Sequence, residues 1–539
     1  IEAWLSNVEK GMRMSLHKIF KTGRDEYEMM PRVEWIQKHP AQVISVVSQI
    51  YFSKSVNDAI SEENSIEGLT NLRNSMEDNL SSLADVVRLQ LPRAMRSGIV
   101  ALITLDVHSR DIVSELIQSE VSSVTDFEWT KRLRYFWDVE SNRVQIHQAG
   151  AIIEYGYEYL GATSRLVVTP LTERCYLTLT SAMNNYLGGS PAGPAGTGKT
   201  ETVKDLAKAV GNFCVVFNCS DAVTVIQMES FFSGLAQAGA WACFDEFNRI
   251  NSEVLSVIAE QVYQVQSAVA AKLKSFMFCG QQIELNPRCG VFITMNPGYA
   301  GRTELPDNLK SLFRPISMMV PGYAMIAEVI LYSEGFTNAK PLAQKVTQLY
   351  KLSSEMLSQQ SHYDFGMRAL KSVLVMAGTS KRRQPSLNED IILIRAMRDS
   401  NISKLLIDDS KLFDAIIGDL FPGVEFEKET FEELSAAIDK ALLEKSFQKS
   451  EFMTTKTIQL YQTIFIRHGV MLVGPTGGGK TTSRNILADS LAILGTPVEQ
   501  YEINPKAVSL TDLYGAYDLS TGDWKNGLVG KMFSEMAEA

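Results

Sequence analysis

Two glycine-rich segments constrain this 539-residue chain more than any other feature of its sequence. Residues 193–200 read Gly-Pro-Ala-Gly-Thr-Gly-Lys-Thr and residues 474–481 read Gly-Pro-Thr-Gly-Gly-Gly-Lys-Thr, so both fit the pattern G-x-x-x-x-G-K-[ST]. Glycines let backbone amides turn towards phosphate groups, and the following helix directs its positive N-terminal end at the anion. The lysine reaches the β- and γ-phosphates, and the next hydroxyl is a ligand for Mg²⁺. The sequence therefore predicts two P-loops that bind ATP or ADP with Mg²⁺.

The two loops supply most of the predicted nucleotide-binding residues. Thr200 and Thr481 are the predicted metal ligands of the two loops. A proline at position 191 precedes the first loop, where an apolar strand is expected, and it predicts a short or irregular strand because proline lacks a backbone donor. The predicted binding residues are Gly193, Pro194, Ala195, Gly196, Thr197, Gly198, Lys199, Thr200 and Glu201 in the first loop, and Gly474, Pro475, Thr476, Gly477, Gly478, Gly479, Lys480, Thr481 and Thr482 in the second.

Hydrolysis of ATP also requires acidic residues at the end of a buried strand. The apolar run 241–244 ends in Asp245 and Glu246. We predict that Asp245 holds Mg²⁺ and that Glu246 polarises the attacking water as a general base. A second apolar run, 291–295, ends at Asn296, which is predicted to orient the same water. An acidic pair in this position can also be a solvated strand end, and the upstream P-loop favours the catalytic interpretation.

Two arginines follow these residues along the chain. Arg314 precedes a block of helices, where it is placed to face a neighbouring module, and Arg368 opens a helix within that block. We predict that Arg368 lies across the phosphates from the side of the helical block. An isolated arginine is often only a surface or salt-bridge residue, and the ordered series of motifs favours a functional role more for Arg368 than for Arg314.

The pattern of apolar residues divides the chain into regions. The first 130 residues have helical spacing, and residues 132–137 and 143–147 are predicted to form a β-hairpin. From residue 161 short apolar strands alternate with helices, which is typical of a mostly parallel α/β layer. Residues 324–406 are predicted to be helical, and an apolar strand at 470–473 opens a second α/β unit. The predicted strands of the first α/β layer are 212–218, 241–244 and 290–295.

Composition excludes some classes of function. Acidic residues outnumber basic ones by 62 to 52, a net charge of −10 that does not favour a nucleic-acid-binding protein. No apolar run approaches the roughly 18 residues that a membrane span requires, so no membrane partner is predicted. The chain opens on Ile1 with no signal peptide, and we expect it to be part of a longer polypeptide.

The series of P-loop, acidic pair, asparagine and two arginines resembles the motif order of AAA+ ATPases. The amino-acid sequences of several segments are more specific and closely resemble those of dynein heavy chains. This resemblance covers essentially the whole chain. Beside the first P-loop with its following Glu-Thr, the resembling segments are 169–176 (Thr-Pro-Leu-Thr-Glu-Arg-Cys-Tyr), 243–249 (Cys-Phe-Asp-Glu-Phe-Asn-Arg), 295–302 (Met-Asn-Pro-Gly-Tyr-Ala-Gly-Arg) and 419–423 (Asp-Leu-Phe-Pro-Gly).

The resemblance implies an α/β fold of AAA+ P-loop NTPase modules, each a parallel α/β core with a helical lid, behind a mostly helical linker. Adenine would lie against Val167, Val168 and Pro170. The first module would be the principal ATP-hydrolysing site, and the second would bind nucleotide without fast turnover. The implied domains are the C-terminal part of the linker (1–160), the first α/β subdomain (161–321), its lid (322–406) and the start of the second module (407–539).

The same resemblance implies a microtubule motor of the ciliary or flagellar axoneme. Its partners would be the remaining AAA+ modules, microtubules through a stalk outside this segment, and dynein intermediate and light chains. The segments 363–368 and 394–399 resemble axonemal chains more than cytoplasmic ones. The alternatives are a cytoplasmic transport dynein, another multi-module AAA+ remodelling ATPase such as midasin, or a nucleotide-gated scaffold without catalysis. The chain alone is expected to be a poor ATPase, because a neighbouring module would complete its first site.

Overall fold

The computed structural model of the protein describes residues 2–89, 91–194, 196–296, 304–424, 431–466, 469–518 and 520–538. Contacts within the chain divide it into two compact units, which are described one after the other. The first comprises Ile1–Ala396 and Leu406–Val424, and the second comprises Met397–Leu405 and Glu425–Ala539. In the part of the chain described, no helix is both long and apolar enough to cross a membrane.

The first unit opens with a helical segment, as the sequence predicts. Prolines 31, 40 and 92 stand at the N-caps of its second, third and fifth helices, where a missing backbone donor costs no helical hydrogen bond. The third helix is buried along most of its length, because the first, fourth and fifth helices all contact it. The helices are α1 (Glu2–Tyr27), α2 (Arg32–Lys38), α3 (Ala41–Ile60), α4 (Ser65–Arg88), α5 (Arg93–Gln118) and α6 (Phe127–Thr130).

A small antiparallel sheet follows these helices. It consists of β1 (Arg134–Asp138), β2 (Arg143–Gln148) and β3 (Ala151–Glu154), in that spatial order. The predicted hairpin is therefore confirmed, and β3 extends it. The third strand was missed because it has only four residues and follows a tight turn in which Ala149 has a φ of 49°.

The α/β layer is built on a five-stranded parallel sheet, which confirms the predicted fold class. Its strands are β4 (Gly188–Ala192), β5 (Cys214–Asn218), β6 (Trp241–Asp245), β9 (Gly290–Ile293) and β10 (Phe313–Ser317). They lie in the spatial order β10-β4-β9-β6-β5. The central strands β6 and β9 are buried and almost wholly apolar, because helices cover both faces of such a sheet. A separate hairpin of β7 (Ser275–Phe278) and β8 (Gln281–Glu284) stands between β6 and β9 in sequence. The helices are α7 (Pro170–Asn184), α8 (Lys199–Val210), α9 (Val225–Ala238), α10 (Ser252–Ala270) and α11 (Asp307–Lys310).

The strand before the first P-loop contains Pro191 and is nevertheless five residues long. Its pairing with β10 runs through all five positions, from Gly188 to Ala192. Its pairing with β9 is reduced to Gly189 opposite Phe292, and Ala192 forms an isolated bridge with Met295, beyond the end of β9. The predicted irregularity is thus confined to the side of β4 that faces β9, where Pro191 has no backbone N–H to donate.

A block of helices completes the first unit, as predicted for residues beyond 321. Glu389 ties two of its helices together, because its carboxylate accepts hydrogen bonds from the backbone amides of Thr337 (2.9 Å) and Asn338 (3.0 Å). The helices of the block are α12 (Tyr323–Ser333), α13 (Ala339–Met356), α14 (Met367–Arg383), α15 (Glu389–Asn401) and α16 (Ile407–Leu420). The division between the units falls within α15, after Ala396.

The second unit is mainly helical in its described part. The apolar core is formed by α17 (Glu432–Glu444), α18 (Glu451–Ile466) and α19 (Lys480–Ile493). Two short helices, α20 (Leu510–Tyr514) and α21 (Leu528–Glu538), accompany the antiparallel pair β11 (Gly515–Tyr517) and β12 (Trp524–Asn526). The predicted strand at 470–473 is wrong: these residues form no strand with any other described residue, and Met471 is 85% exposed. A strand exists only by bonding to a neighbour, and no described strand lies beside this segment.

Candidate functional site

The first P-loop joins β4 to α8 at the carboxyl end of the sheet. Gly196 (φ 80°) and Gly198 (φ 82°) adopt the left-handed backbone that favours glycine. Gly198 is also the N-cap of α8 and provides no side-chain cap, so the helix directs its first backbone donors into the loop. Such a helix start is suited to an anion. Ala195, predicted to belong to the loop, lies outside the described residues.

Lys199 is held inside the loop that it is predicted to serve. Its side chain is buried, and Nζ donates to the carbonyl oxygens of Gly193 (2.8 Å) and Pro194 (2.7 Å). Thr197 donates its hydroxyl to the carbonyl of Pro194 (3.0 Å) and closes the turn. The ammonium group therefore lies against the backbone that would surround the β- and γ-phosphates. The arrangement fits a triphosphate.

The predicted metal ligands meet between α8 and β6. The hydroxyl of Thr200 donates to Oδ1 of Asp245 at 2.7 Å, and the buried Thr294 donates its hydroxyl to the same oxygen. Asp245 is the last residue of β6, and Thr294 follows the last residue of β9. Hydroxyl and carboxylate oxygens are the ligands that Mg²⁺ prefers, so these residues fit that ion.

Glu246 is fixed beside the metal ligands in a left-handed backbone conformation, with a φ of 54°. Its backbone amide donates to Thr294 Oγ1 at 3.1 Å. Its carboxylate accepts a hydrogen bond from Asn296 Nδ2 on one oxygen (3.0 Å) and pairs with Arg249 Nε on the other (2.5 Å). The predicted base and the predicted orienting amide are thus in direct contact.

Two further residues of this cluster had no role predicted for them. Thr294 links Asp245 to the backbone of Glu246 through its hydroxyl. Its position as a polar residue directly after an apolar strand is the feature of the sequence that could have indicated this role. Arg249 lies three residues after Glu246, in the short 3-10 helix Phe247–Arg249, and that spacing brings it back to the carboxylate. Both residues hold the acidic pair in place.

The predicted adenine segment lies at the start of α7. Val168 is buried, Val167 is half-buried, and Thr169 caps the helix by accepting a hydrogen bond from the backbone amide of Thr172 (3.3 Å). Pro170 is the first helical residue, where its fixed φ suits the helix start. The segment therefore has a defined backbone, and its contact with a base stays a prediction.

Three predicted site residues are not joined to the cluster. Glu201 is exposed on α8 and pairs with Lys204 at 2.9 Å. Arg314 is exposed on the edge strand β10, and Arg368 is exposed in the first turn of α14. Among the described residues no hydrogen bond or ion pair links either arginine to the P-loop. Their roles stay predictions.

The second P-loop repeats the local arrangement of the first. Gly477 has a φ of 80° and Gly479 a φ of 79°, and α19 begins directly after the loop. Lys480 Nζ donates to the carbonyl oxygens of Gly474 (2.7 Å) and Pro475 (2.8 Å). Thr481 is exposed, and no described carboxylate accepts its hydroxyl.

Comparisons with known proteins agree with this geometry. Residues 155–481 match the family described as the hydrolytic ATP binding site of the dynein motor region. The chain is 53% identical to dynein axonemal heavy chain 6 of Homo sapiens over 541 residues, which is 98% of the chain and 13% of that protein. It is 50% identical to dynein axonemal heavy chain 1 of Homo sapiens over 538 residues, 98% of the chain and 12% of that protein. It is 46% identical to dynein axonemal heavy chain 12 of Rattus norvegicus over 546 residues, the whole chain and 18% of that protein.

The chain thus spans between 12 and 18% of the length of these relatives. The match includes the first P-loop, the acidic pair, Asn296 and the whole of the second P-loop, so it covers the cluster described above. The chain belongs to the dynein heavy chain family and carries the hydrolytic ATP-binding site of its motor region.

Proposed function

We propose that the first P-loop is the site at which this protein hydrolyses ATP. The observation that carries the proposal is the 3.0 Å contact of Asn296 with Glu246, next to the 2.7 Å contact of Thr200 with Asp245. The proposed base, the amide that orients it and two proposed metal ligands thereby lie together at the carboxyl ends of the strands, beside the loop for the phosphates. A nucleotide-gated scaffold would have no need of this arrangement.

Each residue has a separable role in the proposed hydrolysis. Lys199 exchanges its two backbone carbonyl partners for phosphate oxygens, and Glu246 accepts the proton of the attacking water. Asn296 and Arg249 hold the Glu246 carboxylate in one orientation. Thr200 and Asp245 would hold Mg²⁺, which neutralises phosphate charge when it is bound.

The whole protein is proposed to be a microtubule motor in which ATP turnover drives a linker swing and minus-end-directed force. Near-complete coverage of this chain by relatives named axonemal heavy chains supports an axonemal motor over a cytoplasmic one. Microtubules, the remaining AAA+ modules and dynein intermediate and light chains are the proposed partners, and the ciliary or flagellar axoneme is the proposed location.

The proposed domain division follows the resemblance. Residues 1–160 would be the linker segment, 161–321 and 322–406 the α/β core and lid of the first module, and 407–539 the start of the second. We propose that Arg368 approaches the phosphates from the lid and that Arg314 faces a neighbouring module, since both are exposed and available for such contacts. The second P-loop would bind nucleotide.

Replacing Glu246 by Gln in the complete motor tests the hydrolytic site. We expect ATP to bind with unchanged affinity and turnover to fall by about 10²–10⁴-fold, because the base is lost while the loop for the phosphates stays intact. Glu253→Gln, which alters an exposed carboxylate on the next helix, is the matched control and should change neither quantity. Steady-state ATPase and stopped-flow binding measure the two effects. Turnover at the normal rate in Glu246→Gln would contradict the assignment of the base.

A further inference from the structure

A buried ionic cluster connects the P-loop helix to the segment predicted to contact adenine. Asp205 of α8 is its centre, with only 4% of its side chain exposed. Arg165 donates Nε to Oδ1 (3.1 Å) and Nη2 to Oδ2 (3.0 Å) of this carboxylate. The backbone amide of Leu166 donates to Oδ1 (2.9 Å), and the hydroxyl of Tyr176 donates to Oδ2 (2.8 Å). Three elements of the first unit are therefore tied to one side chain.

The cluster stays charged despite its burial. Burial alone would raise the pKa of Asp205, but the guanidinium of Arg165 and the hydrogen bonds outweigh it, so the pKa lies below its ordinary value. Burial and the charge of Asp205 hold the pKa of Tyr176 well above its ordinary value, so this hydroxyl keeps the proton that it donates. A buried ion pair tolerates little displacement, because each partner left alone would be an uncompensated charge.

The cluster lies between the two ends of the proposed nucleotide site. Asp205 stands six residues after Lys199 on α8, which corresponds to about 9 Å along the helix axis, so it is rigidly connected to the P-loop. Arg165 and Leu166 open the segment that leads to Val168 and the start of α7. The contacts of one carboxylate therefore connect this segment directly to the helix that begins with the P-loop lysine.

We propose that Asp205 is a positioning residue for ATP. It holds segment 166–170 at the distance from the P-loop at which adenine and the phosphates of one ATP molecule are bound together. This inference rests on the proposed function of the first P-loop and on the predicted contact of segment 166–170 with adenine. A ligand that has the phosphates but no base would not need the segment, so its binding separates positioning from general support of the fold.

The experiment compares the affinities for Mg-ATP and Mg-tripolyphosphate in the complete motor with the second P-loop disabled by Lys480→Ala. In Asp205→Asn we expect the affinity for ATP to fall about tenfold or more and that for tripolyphosphate to change less than about twofold, since the contacts of Lys199 remain. Arg165→Lys keeps the charge but loses the two-point contact, and it should shift the ratio of the two affinities in the same direction by a smaller factor.

Asp106→Asn is the matched control. Asp106 of α5 is also buried and pairs with Arg32 at 2.5 Å, but this pair lies in the N-terminal helices and is not bonded to segment 166–170. It should lower the melting temperature and leave the ratio of the two affinities unchanged.

Equal loss of both ligands in Asp205→Asn, or no loss of either, would overturn the inference. If that variant does not fold, the ratio in Arg165→Lys decides by the same criterion. Absence of ATP binding in the otherwise unaltered motor would instead contradict the proposed function of the first P-loop.

Discussion

The two P-loops have nearly the same backbone and very different surroundings. Gly196 in the first loop and Gly477 in the second both have a φ of 80°. In each loop the lysine donates to the carbonyl oxygens of the first two loop residues. The first loop continues from a strand inside a five-stranded sheet. The second follows residues 470–473, which are unpaired and exposed in the described chain.

The difference separates what is local in such a site from what is not. Glycine conformation and the folded-back lysine depend only on eight consecutive residues, so both loops form them. Asp245 reaches Thr200 only because the strands that lead to them are close neighbours in the sheet. Asp245 ends β6, the P-loop follows β4, and β9 lies between these two strands. The geometry of the loop predicted to bind phosphate is therefore encoded locally, whereas the arrangement of the proposed hydrolytic residues depends on the sheet.

The largest difference between the loops is expected from paired lysine substitutions. Lys199→Ala should weaken ATP binding at the first site by about 100-fold or more, and turnover should be lost with it. The ammonium group would exchange two carbonyl partners for two phosphate oxygens, and each charged hydrogen bond contributes about 1.5–3 kcal/mol. Lys480→Ala should weaken binding at the second site and leave most of the turnover. Labelled-nucleotide binding and steady-state ATPase of the two variants make the comparison. Equal loss of turnover in both would show that the second site is needed for hydrolysis.

The hydroxyl residues after the lysines should differ in a smaller way. Thr200 contacts Asp245, whereas Thr481 has no described carboxylate partner. We expect Thr200→Ala to raise the Mg²⁺ concentration for half-maximal turnover by about 10–100-fold, and Thr481→Ala to leave it unchanged. Thr200→Ser keeps the hydroxyl and should stay near the normal value. A magnesium titration of ATPase activity measures all three, and equal shifts in the two alanine variants would contradict the assignment.

The sequence predicted those parts of the first unit that depend on short-range patterns. Runs of apolar residues placed β5, β6 and β9 to within about two residues of their observed bounds, and the motif spacing identified Asp245, Glu246 and Asn296. The same reasoning failed at residues 470–473, because an apolar run indicates a strand only where another strand lies beside it.

Contacts between residues far apart in sequence were not predictable. Arg165 and Asp205 are separated by 40 residues, and neither belongs to a recognised motif. Their pairing requires α8 and segment 165–170 to lie side by side, and no local pattern in either element indicates that contact. At Pro191 a local feature predicted an irregular strand, because proline has no backbone donor. The pairing of β4 with β10 nevertheless runs through all five residues, and only the pairing with β9 is reduced.

The smallest expected effect concerns Thr294, which distinguishes the first site from a bare P-loop. Its hydroxyl donates to Asp245 and accepts from the backbone amide of Glu246 at 3.1 Å. Thr294→Val keeps the volume of this fully buried side chain and removes both bonds. We expect turnover to fall about fivefold, corresponding to about 1 kcal/mol, because the acidic pair loses its fixed orientation while Lys199 still binds phosphate.

The control for this effect is Thr104→Val, which removes a buried hydroxyl from α5 that donates only within its own helix, to the carbonyl of Val100. It should change neither turnover nor affinity. The informative measurement is therefore kcat beside the affinity for ATP, determined for both variants. A fall in ATP affinity with unchanged kcat in Thr294→Val would mean that Thr294 supports the loop rather than the acidic pair. Thr294 would then no longer count among the residues that distinguish the first site from a bare P-loop.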